Sequence, residues 1–183
     1  MDAVKLLSYA GIGSRKIPKN VLIAFGALGK SLAELGFTLN SGGADGADLA
    51  FEKGCDAANG SKNIFIPWPG FNGSKSKLTS IPAGAYEEAA AFRRNFDSFS
   101  SPVKKLLARD SIQVLGQDLI TPVSFVACYA EKNKNGAAKG GTSMAISIAQ
   151  SRGIKVINAY DYDSPKQFYQ DVMTYAKSCI EVE

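Results

Sequence analysis

The eight residues Ser41-Gly42-Gly43-Ala44-Asp45-Gly46-Ala47-Asp48 bring together groups suited to an anion and groups suited to a sugar. Glycine has no Cβ and accepts positive φ, so backbone N–H groups can come close to a ligand. The stretch follows a short apolar run, Phe37-Thr38-Leu39, and precedes a helical pattern with Leu49, Ala50 and Phe51. A phosphate at such a strand-to-helix turn would meet bare amides and the positive end of a helix. Asp45 and Asp48 place two carboxylates in the first helical turn, where ribose hydroxyls could be met. The same residues also read as a tight turn with Asp45 as helix N-cap.

Two further glycine turns shift the balance toward a ligand. Gly11-Ile12-Gly13-Ser14 is followed by Arg15, and Gly140-Gly141-Thr142 is followed by Ser143. In an open parallel sheet the strand C-terminal ends share one edge, and ligands bind there at the switch point of strand order. Three glycine turns on one edge point to a nucleotide-type ligand, with Arg15 able to pair bidentately with phosphate. The dinucleotide fingerprint is incomplete, because Lys16 stands at its third glycine and Asn40-Ser41 at its acidic position. No Walker A lysine pattern occurs either.

Other polar residues divide by their surroundings. Arg109 lies among Leu106, Leu107, Ile112 and Val114 and is expected to turn into the pocket. Trp68 and Phe71, in Trp68-Pro69-Gly70-Phe71-Asn72-Gly73, could stack on a base or cap the core. Arg93 and Arg94 read as a solvated helix face. Glu87 and Glu88 read as surface, and are the candidates if a catalytic carboxylate is needed. Lys132, Lys134 and Lys139 fall in a polar loop expected to be mobile, a possible lid over an anion.

The elements that would position these groups alternate regularly. Apolar runs at Leu6–Ala10, Phe37–Asn40, Asn63–Pro67, Val123–Tyr129 and Ile154–Ile157 read as five strands. Helical spacing follows Pro18, through Val21, Leu22, Phe25, Leu28, Leu32 and Leu35, with Gly36 closing the helix. Further helices are expected from the Asp48 region to about Ala58, over Ala85–Phe96, from Ser101-Pro102 to Gly116, after Thr142 and after Ser164-Pro165. Strand–helix alternation predicts an α/β fold: one Rossmann-like domain over residues 1–183, a doubly wound parallel sheet of about five strands with helices on both faces.

Composition bounds the chemistry. With 183 residues, 45% hydrophobic and 21% charged, the chain reads as one soluble globular domain. Net charge +4 admits an anionic ligand without the basic stripe of a dedicated nucleic-acid binder. There is no histidine, so a Ser-His-Asp triad, a Cys-His pair and a histidine-bound metal are excluded. No metal and no cofactor is expected. Cys55, Cys128 and Cys179 are widely spaced and read as reduced thiols of a cytoplasmic protein, and neither a membrane span nor a signal peptide is evident.

Tyr9-Ala10-Gly11-Ile12-Gly13-Ser14-Arg15, the Ser41–Asp48 stretch, and Gly140-Gly141-Thr142 through Asn158 resemble the SLOG superfamily. It unites DprA/Smf DNA-processing proteins, LOG-type nucleoside-monophosphate phosphoribohydrolases and nucleotide-sensing domains of bacterial immunity. The similarity spans roughly residues 8 to 160. It is greatest with small DprA-like proteins of bacteriophages, through Trp68–Gly73, Ala108-Arg109 and Gln113-Val114-Leu115-Gly116. The resemblance implies a nucleotide-derived ligand, such as an ADP-ribose-type or cyclic ADP-ribose-type signal that a phage protein would sequester, and at least a dimer. Its alternatives are N-glycosidic cleavage of nucleoside 5′-monophosphates and DprA-like binding of single-stranded DNA. LOG-type enzymes carry a catalytic glutamate after the glycine–threonine turn, whereas this chain has Ser143-Met144-Ala145. The DprA-like alternative is weakened by mild charge and by a length that leaves no room for flanking domains.

Overall fold

The computed structural model describes residues 6–182 and shows a five-stranded, fully parallel sheet with helices on both faces. In chain order the elements are β1 (Ser8–Gly13), α1 (Lys19–Glu34), β2 (Thr38–Ser41), α2 (Ala47–Ala57), β3 (Lys62–Ile64), α3 (Ala83–Phe92), α4 (Ser101–Leu115), β4 (Phe125–Tyr129), α5 (Thr142–Ser151), β5 (Lys155–Asn158) and α6 (Pro165–Glu181). Strand order is β3-β2-β1-β4-β5. The chain winds outward from β1 to β3, returns through α3 and α4, and continues outward on the other side. The switch point therefore lies between β1 and β4, whose register pairs Tyr9 with Phe125 and Gly13 with Tyr129.

Alternation along the strands builds two cores. Tyr9, Leu39, Phe125 and Ile157 face α1, α2 and α6, packing against Phe25, Phe51, Phe168 and Val172. Ala10, Ile12, Val126 and Cys128 face the other way, onto Leu107 and Val114 of α4 and Met144 and Ile148 of α5. Burial on both faces explains why β4 reads as a continuous apolar run rather than an alternating one. Cys55 and Cys128 are buried and Cys179 is half-buried.

Several boundaries differ from the sequence reading. The third strand pairs only over Lys62–Ile64; Phe65 makes an isolated bridge to Leu78, where the long loop folds back beside it. The fourth begins at Phe125, because Val123 gives its N–H to Val114 and closes the α4–β4 connection. The helix expected to reach Phe96 stops at Phe92, where Arg93 turns extended. Asp45 is not the N-cap of α2. That position belongs to Gly46 at φ 79°, against the carbonyl oxygens of Ser14 and Arg15, where a Cβ would overlap both. The polar loop folds as a hairpin, with Lys132 bridged to Ala138 and Lys139 N–H bonded to Glu131 O at 2.7 Å.

Candidate functional site

The C-terminal end of β1, the start of α2, one face of α4 and the loop from β4 into the N-terminus of α5 line a crevice of about 450 Å³. Its size is that of a small-molecule site. Gly13, Ser14 and Arg15 form one wall, Gly140, Gly141 and Thr142 the facing one, and Asp48 and Arg109 the floor. Eight of the residues expected to bind the ligand thus meet at the switch point.

The floor is a buried charge cluster. Asp48 accepts the N–H of Gly13 at 3.2 Å and of Ala44 at 3.3 Å, so one carboxylate ties the first two glycine turns together. Arg109 donates to Gly42 O at 2.6 Å, lies 5.3 Å from the Phe71 ring centre, and is 3.8 Å from Asp110. Its side chain is buried, and its Nε has no hydrogen-bond partner. Gly42 is glycine because a Cβ there would press on Gln113, Asp48 and Arg109. Burial pushes the Asp48 carboxyl up to about 6, with Arg109 and the backbone N–H groups pulling against the rise. Burial pushes Asp110 up to about 7; Arg109 opposes this, Asp48 adds to it and Arg93 opposes it. Two carboxyls and a guanidinium packed together disfavour full ionisation, so Asp110 can hold a proton near neutral pH.

The remaining residues of interest fall elsewhere. Gly11 is inside the sheet, where Phe51 and Leu39 occupy the space of a Cβ. Ser41 is buried below the turn, donating to Gly11 O at 2.6 Å. Gly43 and Asp45 border a separate hollow under the long loop, where Asn72 donates to Gly43 O and to Asp45 Oδ1, both at 3.0 Å. The two aspartates therefore point into different spaces. Trp68 packs edge-on against Phe71 and the core. Ser143 turns away from the crevice and receives a hydrogen bond from Arg93 at 2.9 Å, so Arg93 is not the solvated side chain expected. Glu87 and Glu88 lie on α3 outside the crevice; Glu87 is exposed and Glu88 pairs with Arg152.

Sequence reasoning assigned no role to Asp110, Gln113 or Lys16, all of which line the crevice. Asp110 had a legible signal: two adjacent charges, Arg109-Asp110, inside an otherwise apolar stretch of helix. Gln113, one helical turn on, belongs to the same face. Lys139, read as part of a lid, stands on the crevice wall. Among the described residues no group of three or more His, Cys, Asp or Glu side chains could hold a metal ion, and no helix is long and apolar enough to cross a membrane.

No family model matches the chain, and no curated protein matches its sequence. Solved structures do match. DNA processing protein A from Helicobacter pylori, described for its single-stranded DNA binding mode, superposes at TM-score 0.59 and 14% identity over 97% of this chain and 81% of that one. The molybdenum cofactor carrier protein of Chlamydomonas reinhardtii gives 0.53 and 16% over 93% and 86%. The structural-genomics target TM1055 gives 0.50 and 18% over 82% and 72%. This chain shares the fold of all three.

Proposed function

We propose that this protein of SLOG-type fold binds a nucleotide-derived ligand in the crevice between β1 and β4. The observation that carries the reading is Arg109, a buried guanidinium lining a cleft at the switch point between two glycine turns. A guanidinium held in such a place, beside bare backbone amides, suits a phosphate. Phosphate would lie on the amides from Gly13 to Arg15 and from Gly140 to Thr142, with Lys16 and Lys139 beside them. A ribose or base would face Asp48, Asp110 and Gln113. Ligands of the ADP-ribose type fit this division of charge, and sequestering such a signal would suit a phage-encoded, homo-oligomeric protein as the sequence resemblance implies.

A second reading, N-glycosidic cleavage, draws on Asp110, whose carboxyl near 7 could protonate a leaving base. The placement of Glu87 and Glu88 outside the crevice counts against them as its catalytic groups. Binding of single-stranded DNA is supported by the Helicobacter likeness only at the level of fold.

The test is to incubate purified protein with nucleoside monophosphates and ADP-ribose compounds, denature it, and identify what is released by mass spectrometry. Stoichiometric return of an intact compound supports binding without turnover. Free base accumulating with time supports cleavage, which should persist in Glu87→Gln/Glu88→Gln and vanish in Asp110→Asn. Retention of nothing, or retention unaffected by Arg109→Met, sinks the proposal.

A further inference from the structure

A second cavity, of about 320 Å³, is lined by Ala137, Ala138 and Ser143, which flank in sequence the Lys139–Thr142 wall of the crevice. It lies between α5, the end of α3 and the edge strand β5. Phe92, 37% exposed, offers a ring on one wall, and Ser147 and Gln150 offer a hydroxyl and an amide. Lys132 sits at its margin, paired with Asp161 at 2.6 Å. Arg93 belongs to both spaces: it holds Ser143 in the outer cavity, and its charge reaches Asp110 in the crevice. The two linings together hold six cationic side chains against three carboxylates, a net charge of +3 out of the chain's +4. The positive charge of this protein is concentrated along one path.

Gly140 and Gly141 line the crevice, close in sequence to Ser143, which lines the outer cavity. At φ 77° Gly140 meets a backbone requirement. Gly141 meets none. Its φ of −61° and ψ of −37° suit any residue, and a Cβ there would find open space within the protein. Gly141 is the N-cap of α5, a place where glycine is common, and here it meets no packing need. What it does permit is close approach of another molecule to amides that precede the first bonds of α5, where Met144 N–H reaches Gly141 O.

We infer that the crevice and the outer cavity are two subsites for one ligand, composed of two nucleotide units joined through phosphate, with the linking phosphate over Gly141 and the second base against Phe92. The inference rests on the nucleotide reading of the crevice. A free dinucleotide and two neighbouring nucleotides of a single strand share this chemistry.

The test compares adenosine monophosphate, the 5′-phosphorylated dinucleotide pApA and a 20-residue single-stranded DNA by calorimetric titration of the full chain. We expect pApA to bind about tenfold or more tightly than the mononucleotide, as one added charge-assisted contact would give. Ser147→Trp, which fills the outer cavity, should abolish that advantage and leave mononucleotide binding unchanged; Lys132→Ala, on the hairpin, should reduce it without touching the core. Gly141→Ala should weaken pApA while thermal stability holds or rises. Equal affinity for pApA and the mononucleotide overturns the two-subsite inference and leaves the crevice reading intact. So does equal weakening of both ligands by Ser147→Trp and Lys132→Ala. Binding of neither overturns both. A DNA strand that binds far more tightly than pApA, with steep salt dependence, makes a strand the source of the paired units; parity with pApA makes it a small molecule.

Discussion

Protonation of Asp110 should make this protein lose stability as pH rises through the physiological range. In the unfolded chain its carboxyl ionises near 3.8, and in the fold burial moves it to about 7. Between those values the native state holds one proton more than the unfolded state, so stability falls with rising pH. The slope for one proton is at most about 1.4 kcal/mol per pH unit and halves at pH 7, which gives about 2 kcal/mol between pH 5 and pH 7 and little more by pH 8. Asp48, moved in the same direction to about 6, adds a second proton over the lower part of that range. The perturbation is Asp110→Asn, which keeps shape and removes the ionisation while Asp48 remains as the counter-charge of Arg109. Urea unfolding at pH 5, 6, 7 and 8 is the assay. The difference in stability between wild type and variant should change by about 2 to 3 kcal/mol across the series, in favour of the variant at high pH. Parallel curves, or a wild type that gains stability from pH 5 to pH 8, would show that Asp110 is ionised in the fold and refute the argument.

Two other perturbations probe the walls and floor. Arg109→Met leaves Asp48 and Asp110 buried without a guanidinium and removes the bond to Gly42 O; it should cost about 3 kcal/mol at pH 8, less at pH 5 where the carboxyls are protonated, and abolish ligand retention. Denaturation at the two pH values, beside a ligand titration, checks both halves. Gly46→Ala combines positive φ with overlap on the Ser14 and Arg15 carbonyls, and should destabilise by about 2 kcal/mol or more and loosen the first glycine turn. Amide exchange at Ser14 and Ala47, which are joined by a 3.2 Å hydrogen bond, would report the loosening.

The number of strands and their places along the chain, the helix faces and the three glycine turns are legible in the sequence, because these are local: period, cap residues and chain reversals are properties of short stretches. The sequence also marked Arg109, since a charge inside an apolar helical stretch needs a partner wherever the helix lands. Tertiary structure decided what those turns share. Asp45 and Asp48 are three residues apart and look equivalent in sequence. The turn at Gly46 sends one to Asn72 and the other beneath Gly13. Only the crossover that places β4 beside β1 brings α4 and the α5 N-terminus over the same crevice, turning Asp110 and Gln113 into floor residues. It likewise leaves Glu87 and Glu88 outside, although a catalytic carboxylate was sought there. Such juxtapositions join residues dozens of positions apart, and they depend on strand order, which no local pattern encodes.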